Sequence, residues 1–343
     1  MNVAVLVWRS GIMHDTSTIL LKRMSPMSPW IEYDFNTRMN RLGAVLVTAL
    51  FVLCCVVPLS VQAEEDQWKP LRERLILDGF DRQEVNAMFA RAGMRFDPSV
   101  MARKMNVLLS THLTKSGSVE VAQPKPLTRY LNPVLLAGAY AYLREHADLL
   151  QRIEGEYGVS DDIVVAVFLV ETKLGKTIGD DRAFSVLANM ALGGDFSRID
   201  QYVDTAGLDD DTRQWLVQRT LRKGNWAFEE LKALLTYCRQ ADADPVTLPA
   251  SVYGAIGLCQ FMPTSALHYG RDGDGDGKID LFVEADALFS MANYLKEHGW
   301  KAGLSFDEQA EVIYAYNHSM HYALTILEVA DRLRKTDSIF GRS

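Results

Sequence analysis

The chain has 343 residues, 48% hydrophobic and 23% charged, enough to bury one large core or two modest ones. Thirty-six Lys and Arg against 44 Asp and Glu leave a net charge of −8. No basic block gathers the positive residues into a stripe that could track phosphates, so no nucleic acid is expected as a partner.

The first 63 residues read as an export address. Residues 43–59 carry no charge, Arg38 and Arg41 precede them, and Val61-Gln62-Ala63 follows as a small-residue cleavage site. A membrane-anchoring helix is the alternative, but Pro58 and the small residues favour cleavage. Residues 1–38 show no periodicity, and translation is expected to start at Met39, with a signal peptide over 39–63. An acylated Cys needs a small residue before it, whereas Cys54 follows Leu53 and Cys55 follows another Cys, so lipidation is not expected. Cleavage removes five basic and three acidic residues and leaves a charge of −10. Cys238 and Cys259 remain, where an oxidising compartment permits a disulfide and two buried thiols fit equally well.

Residues 64–145 form a helical N-terminal region, with Leu71, Leu75 and Ile76 on one short helix, Val85, Met88 and Phe89 on a second, and Pro133 to Leu150 on a third. Ser116-Gly117-Ser118 and Pro124-Lys125-Pro126 are loops. Ser160-Asp161-Asp162 caps a run apolar on nearly every face, which predicts a central buried helix. Glu171 ends it. A carboxyl there loses hydration, and its pKa rises toward that of a general acid; from this helix alone, a position on its one solvated edge fits as well. Residues 209–240 are helical, a Ser305-x-x-Glu308 capping box opens a final helical pair over 305–334, and strand signals are sparse.

In the stretch from Ser251 to Ser265, Gly254 and Gly257 let the backbone pass close to a ligand or a helix, and Gln260 adds an amide. Pro263 fits a first helical turn. Asp272, Asp274, Asp276, Lys278 and Asp280 hold positions 1, 3, 5, 7 and 9 of an EF-hand-like loop, with Gly277 at the sixth and Ile279 at the eighth. Alternating carboxylates at that density suit Ca²⁺. Val283 stands where the closing Glu belongs, and either Glu284 or Asp286 must complete the shell. Near the last helical junction, Tyr314, Tyr316, Asn317 and Tyr322 are residues that stack on and hydrogen-bond to sugars, although packing explains a Tyr-rich helix end too. His318 and His321 lack an acid or Cys at ligand spacing and read as surface histidines.

Taken together and in order, Val170-Glu171-Thr172, the 254–263 stretch, the acidic loop and Tyr316-Asn317-His318-Ser319 resemble the lytic murein transglycosylase B family, as do Asn293-Tyr294 and His298-Gly299-Trp300. The resemblance runs from about Ile163 to the C-terminal helix and is much weaker before residue 130. It implies a mainly α (α+β) lysozyme-like core over 146–343, with an insertion at 193–250 and a structural calcium loop at 272–286. It also implies a periplasmic enzyme, with membrane association left open, that binds peptidoglycan glycan strands and meets cell-wall synthesis or division proteins. Glu171 is then the single catalytic acid/base, while Ser251, Gln260, Tyr316, Asn317 and Tyr322 match sugar-binding positions. Asp286 matches the family's closing calcium ligand, beside Asp272, Asp274, Asp276 and Lys278. Three departures stand out: Cys259 beside Gln260, a lone Arg198 where the family commonly has two arginines, and a longer segment over 193–225. The implied reaction cleaves the MurNAc-GlcNAc β-1,4 bond and closes a 1,6-anhydro ring. Its rivals are a goose-type muramidase using Asp180 or Asp181, a peptidoglycan-binding scaffold without catalysis, and a calcium sensor, which would normally need paired EF-hands.

Overall fold

The computed structural model describes residues 66–116 and 123–341. The expected signal peptide over 39–63, with the expected start at Met39 and with Cys54 and Cys55, lies outside the described residues. From Asp66 onward the chain forms one unit of twelve described α-helices and one two-stranded sheet.

Three helices open it: α1 (Lys69–Leu77), α2 (Arg82–Ala92) and α3 (Pro98–Ser116). Asp81 caps α2 by accepting from the Gln83 and Glu84 N–H groups, and Gly93 ends it in the left-handed conformation. The third helix was not anticipated. Met101, Ala102, Met105 and Leu109 form its buried stripe, but interspersed Ser110, Thr111 and Thr114 dilute the pattern in the sequence.

The helix expected over Pro133 to Leu150 is two, α4 (Pro133–Glu145) and α5 (Ala147–Tyr157), with His146 ending one and starting the other. At the break His146 lies at φ −107°, ψ 24°, with its ring stacked on Tyr142 and its Nδ1 3.2 Å from Glu284.

The central element is α6 (Asp161–Thr172). Ile163 to Leu169 are fully buried, so helix-forming and core-forming demands coincide over two turns, as the all-round apolar pattern predicted. Around it stand α7 (Ala183–Leu192), α8 (Asp210–Gln240), α9 (Pro263–Tyr269), α10 (Glu284–Glu297), α11 (Phe306–Asn317) and α12 (Met320–Phe340). The capping box on α11 forms as expected, Ser305 and Glu308 each satisfying the other's backbone N–H. Helices α4, α5, α10 and α12 all pack on α6, so the chain on either side of residue 145 shares one main core.

A second, smaller core joins Met101, Met105 and Leu109 of α3 to Val186 and Met190 of α7, Ile199, Val203, and Leu216 and Ala227 of α8. Here α8 presses on the turn that follows α7: a Cβ on Gly224 would stand 2.3 Å from the Gly194 Cα. The expected insertion thus supplies two 3₁₀ turns (Phe196–Arg198 and Asp200–Tyr202) and the long helix that closes this core. The sheet is minimal. β1 (Asp181–Arg182) runs antiparallel to β2 (Pro249–Ala250), pairing Asp181 with Ala250 and Arg182 with Pro249.

Candidate active site and metal loop

Glu171 lies in the last turn of α6. Lys173 and Leu174 follow at φ 52° and 59°, a left-handed pair of non-glycine residues that stops the helix one turn past the buried run. Thr172 holds this turn: its Oγ1 accepts from the Gly175 N–H at 3.0 Å and sits 3.3 Å from the Leu258 carbonyl. The segment beyond is pressed onto the stretch from β2 to α9. A Cβ on Gly179 would meet the Ala250 carbonyl oxygen at 2.2 Å, so only glycine fits there, and the Gln260 Nε2 donates to the Ile178 carbonyl at 3.2 Å.

The opposite wall is aromatic. The Tyr322 hydroxyl, on the first turn of α12, donates to Glu171 Oε1 at 2.5 Å, and its ring lies parallel to Tyr316 with centroids 6.2 Å apart. Tyr316 donates to the Cys259 carbonyl at 2.7 Å and meets Tyr294 edge-on at 4.9 Å and Phe261 at 5.6 Å. In this half-buried position the Glu171 carboxyl loses hydration, which pushes its pKa up to about 7, against the Tyr322 hydroxyl, which pulls it down by bonding to the charged form. Burial raises Tyr316 and Tyr322 well above the usual phenol range, so both remain donors. A carboxyl poised near neutrality can give up a proton and take one back in a single cycle.

The remaining sequence-predicted residues divide. Tyr322 touches Glu171 and Tyr316 stacks beside it, Ser251 and Gln260 lie on the stretch between β2 and α9, and Asn317 ends α11 exposed beside Tyr316. Tyr322 bonds the acid directly, a contact 151 residues apart in sequence that no local pattern announces. Gln260, at φ 51°, spends its amide donors on the Ile178 and Gly257 carbonyls. Ser251 Oγ accepts from the Ala255 N–H at 3.1 Å and shapes its own turn. Arg198 sits elsewhere, 3.9 Å from Asp195 in a cavity of about 270 Å³ lined by Leu71, Arg74 and Gly224. Tyr294 is the wall residue without a predicted role, although its Asn-Tyr pair stood out in the sequence. Cys238 and Cys259 are both buried free thiols, and burial raises them beyond reactive range.

In the acidic loop, Asp272, Asp274 and Asp276 each bring a carboxylate oxygen within 4.8 Å of the others. Backbone N–H groups of Gly277 and Gly275 bond to Asp272 and lower its pKa. Asp286 is 2% exposed and receives the Gly273 and Asp280 N–H groups, one on each oxygen, at 2.8 and 2.7 Å. Glu284 turns away to His146. The Lys278 side chain points to Asp242, leaving only its carbonyl to the loop, and Asp280 caps its own turn by accepting from Phe282. Hard oxygens converging at this density fit a calcium ion. The loop is also wired to the acid: the Leu281 carbonyl accepts from Leu258, whose carbonyl faces Thr172. The His321 Nδ1 lies 2.7 Å from the Lys125 carbonyl oxygen.

The sequence model of the Transglycosylase SLT domain family matches residues 63–312. Membrane-bound lytic murein transglycosylase B of Escherichia coli is 29% identical over 225 residues, which is 66% of this chain and 55% of that protein, so the chain spans about half the length of that curated relative. Two solved structures superpose well. The Escherichia coli lytic transglycosylase Slt35, in complex with calcium, gives a TM-score of 0.59 at 21% identity, covering 80% of this chain and 95% of that one. SltB3 of Pseudomonas aeruginosa, in complex with NAG-anhNAM-pentapeptide, gives 0.57 at 22% identity over 78% and 79%. These likenesses show the fold, the mainly helical lysozyme-like one that the motif order implied.

Proposed function

The chain belongs to the transglycosylase SLT-domain family, and from that premise we propose that it is a lytic transglycosylase acting on the MurNAc-GlcNAc β-1,4 bond of peptidoglycan. The observation that carries the reading is the Glu171 carboxyl, pushed up to about 7 and gripped by Tyr322 in an aromatic wall. Protonated, it donates to the glycosidic oxygen as the C1–O4 bond breaks. As the carboxylate, it then takes the proton of the muramic acid C6 hydroxyl while O6 attacks C1. One group serves both steps, and no water is consumed. Tyr322 fixes the carboxyl rotamer, so acid and base functions act from one position. In this reading the Gln260 oxygen, Ser251 and Asn317 hold N-acetyl and hydroxyl groups, with Tyr316 as an apolar face. Asp272, Asp274, Asp276 and Asp286, with the Lys278 carbonyl, would hold a calcium ion that supplies charge to bind the loop and takes no part in bond cleavage.

The relative's description as membrane-bound and the leader-like residues 39–63 support an exported, periplasmic-side protein. Among the described residues no helix is long and apolar enough to cross a membrane. The test is product release from purified sacculi by the wild type and by Glu171→Gln, read by mass spectrometry. We expect anhydro-ended muropeptides, one water lighter than reducing-end products, from the wild type and none from the variant. Near-normal release by Glu171→Gln overturns the assignment, and sacculus binding by a wild type that releases nothing supports a scaffold instead.

A further inference from the structure

Next to the Ser251 turn, the second core carries a group of cations that the reaction does not use. Lys104 of α3 holds its ammonium 4.1 Å over the Tyr253 ring, and Lys223 of α8 holds its own 4.2 Å over the Trp226 ring. Arg219, one turn before Lys223, has its Nε buried with no hydrogen-bond partner. All three side chains are half-buried. Lost hydration and mutual repulsion lower the pKa of both lysines, with Arg219 acting on each. The acid facing them is Glu230, and its oxygens are already bonded to the Thr264 N–H at 2.9 Å and hydroxyl at 2.8 Å. Three cations gathered under partial desolvation, with Glu230 offsetting only part of the charge through Lys223, cost folding energy. A cation over a ring is oriented without spending its N–H donors. Both features make sense if an anion completes the cluster.

We propose that Lys104, Arg219 and Lys223 form a carboxylate-binding subsite for the acidic peptide stems of the glycan strand, next to the sugar-binding turn at Ser251. The inference rests on the reading of the chain as a peptidoglycan enzyme. A stem is the part of that substrate that carries free carboxylates, and Tyr253, two residues past Ser251, links the sugar turn to the cations. The fork of Arg219 suits a planar carboxylate, and the two ammoniums add charge from either side.

The test measures equilibrium binding of two glycan preparations, one bearing peptide stems and one stripped of them by an amidase, in a Glu171→Gln background so that neither is consumed. The parent should prefer stem-bearing strands, and that preference should shrink as salt is raised. Lys104→Gln/Lys223→Gln should cut the preference by about tenfold, as expected for losing two charge-assisted contacts. Lys104→Arg/Lys223→Arg should retain it. Inorganic phosphate serves as a competitor: displacement of the strands no greater than that by chloride at equal ionic strength supports a stem site, and selective displacement at low concentration assigns the cluster to small anions and overturns the proposal. An unchanged preference in the Gln variant, or a proportionate loss on both preparations with a lowered melting temperature, also overturns it. The two readings fail separately. Product release from sacculi without stem preference defeats this inference alone, and stem preference without any anhydro product defeats the transglycosylase assignment alone.

Discussion

The chemistry turns on the opposition of two influences at one carboxyl. Burial raises Glu171 and the Tyr322 hydroxyl lowers it, with burial the larger, so the net position is about 7. The proposed first step needs the protonated form. Activity is therefore full below that value and falls as pH rises through it, on the order of tenfold per unit once the carboxylate dominates. Tyr322→Phe removes the group that favours the charged form, so the folded-state pKa climbs further and the alkaline limb of kcat/KM moves to higher pH. The same variant frees the carboxyl rotamer, and the plateau rate should drop by roughly tenfold or more. Rate profiles of both proteins across pH 5 to 9 check this; a limb that stays in place or moves to lower pH contradicts the opposition. The stacked Tyr316 cannot substitute, because its hydroxyl is committed to the Cys259 carbonyl.

At the scale of elements, the acid is positioned by two connections rather than by α6 alone. One is the packing of α12 on α6, which delivers Tyr322. The other runs from the acidic loop through Leu281 and Leu258 to Thr172, with Tyr237 accepting the Leu281 N–H at 3.0 Å from α8. Without a cation, the carboxylates of Asp272, Asp274 and Asp276 repel one another at the start of this path. Calcium bound to the folded state alone stabilises by about 2.7 kcal/mol at a hundredfold excess over Kd. Chelation should therefore lower the melting temperature by several degrees, and restored calcium should recover it. Asp272→Ala should melt at the chelated value and ignore added calcium. Identical melting curves with and without chelator would separate the loop from the fold's stability.

For the whole molecule, legibility in the sequence followed the range of the interaction. The burial of α6, the capping box on α11 and the carboxylate spacing of the loop are each set by residues within a few positions, and each was readable. Helix α3 was not, because its Met stripe acquires meaning only against Met190 and Leu216 in a second core. The grip of Tyr322 on Glu171 was hidden for the same reason, as was the removal of Arg198 to a separate cavity. The rival hydrolase turns on this long-range arrangement, since it requires a second carboxyl to guide water. Asp180 and Asp181, the acids nearest to Glu171 along the chain after it, are exposed, and Asp181 has its backbone tied to Ala250 in β1. A transglycosylase has no task for either. Asp180→Asn and Asp181→Asn should each keep turnover within about threefold of wild type, the modest change expected of exposed charges that take no part in the reaction. The products should remain anhydro-ended. A loss of a hundredfold or more in either variant, accompanied by reducing-end products from the wild type, would transfer the second step from the C6 hydroxyl to water and make the protein a hydrolase on the same fold.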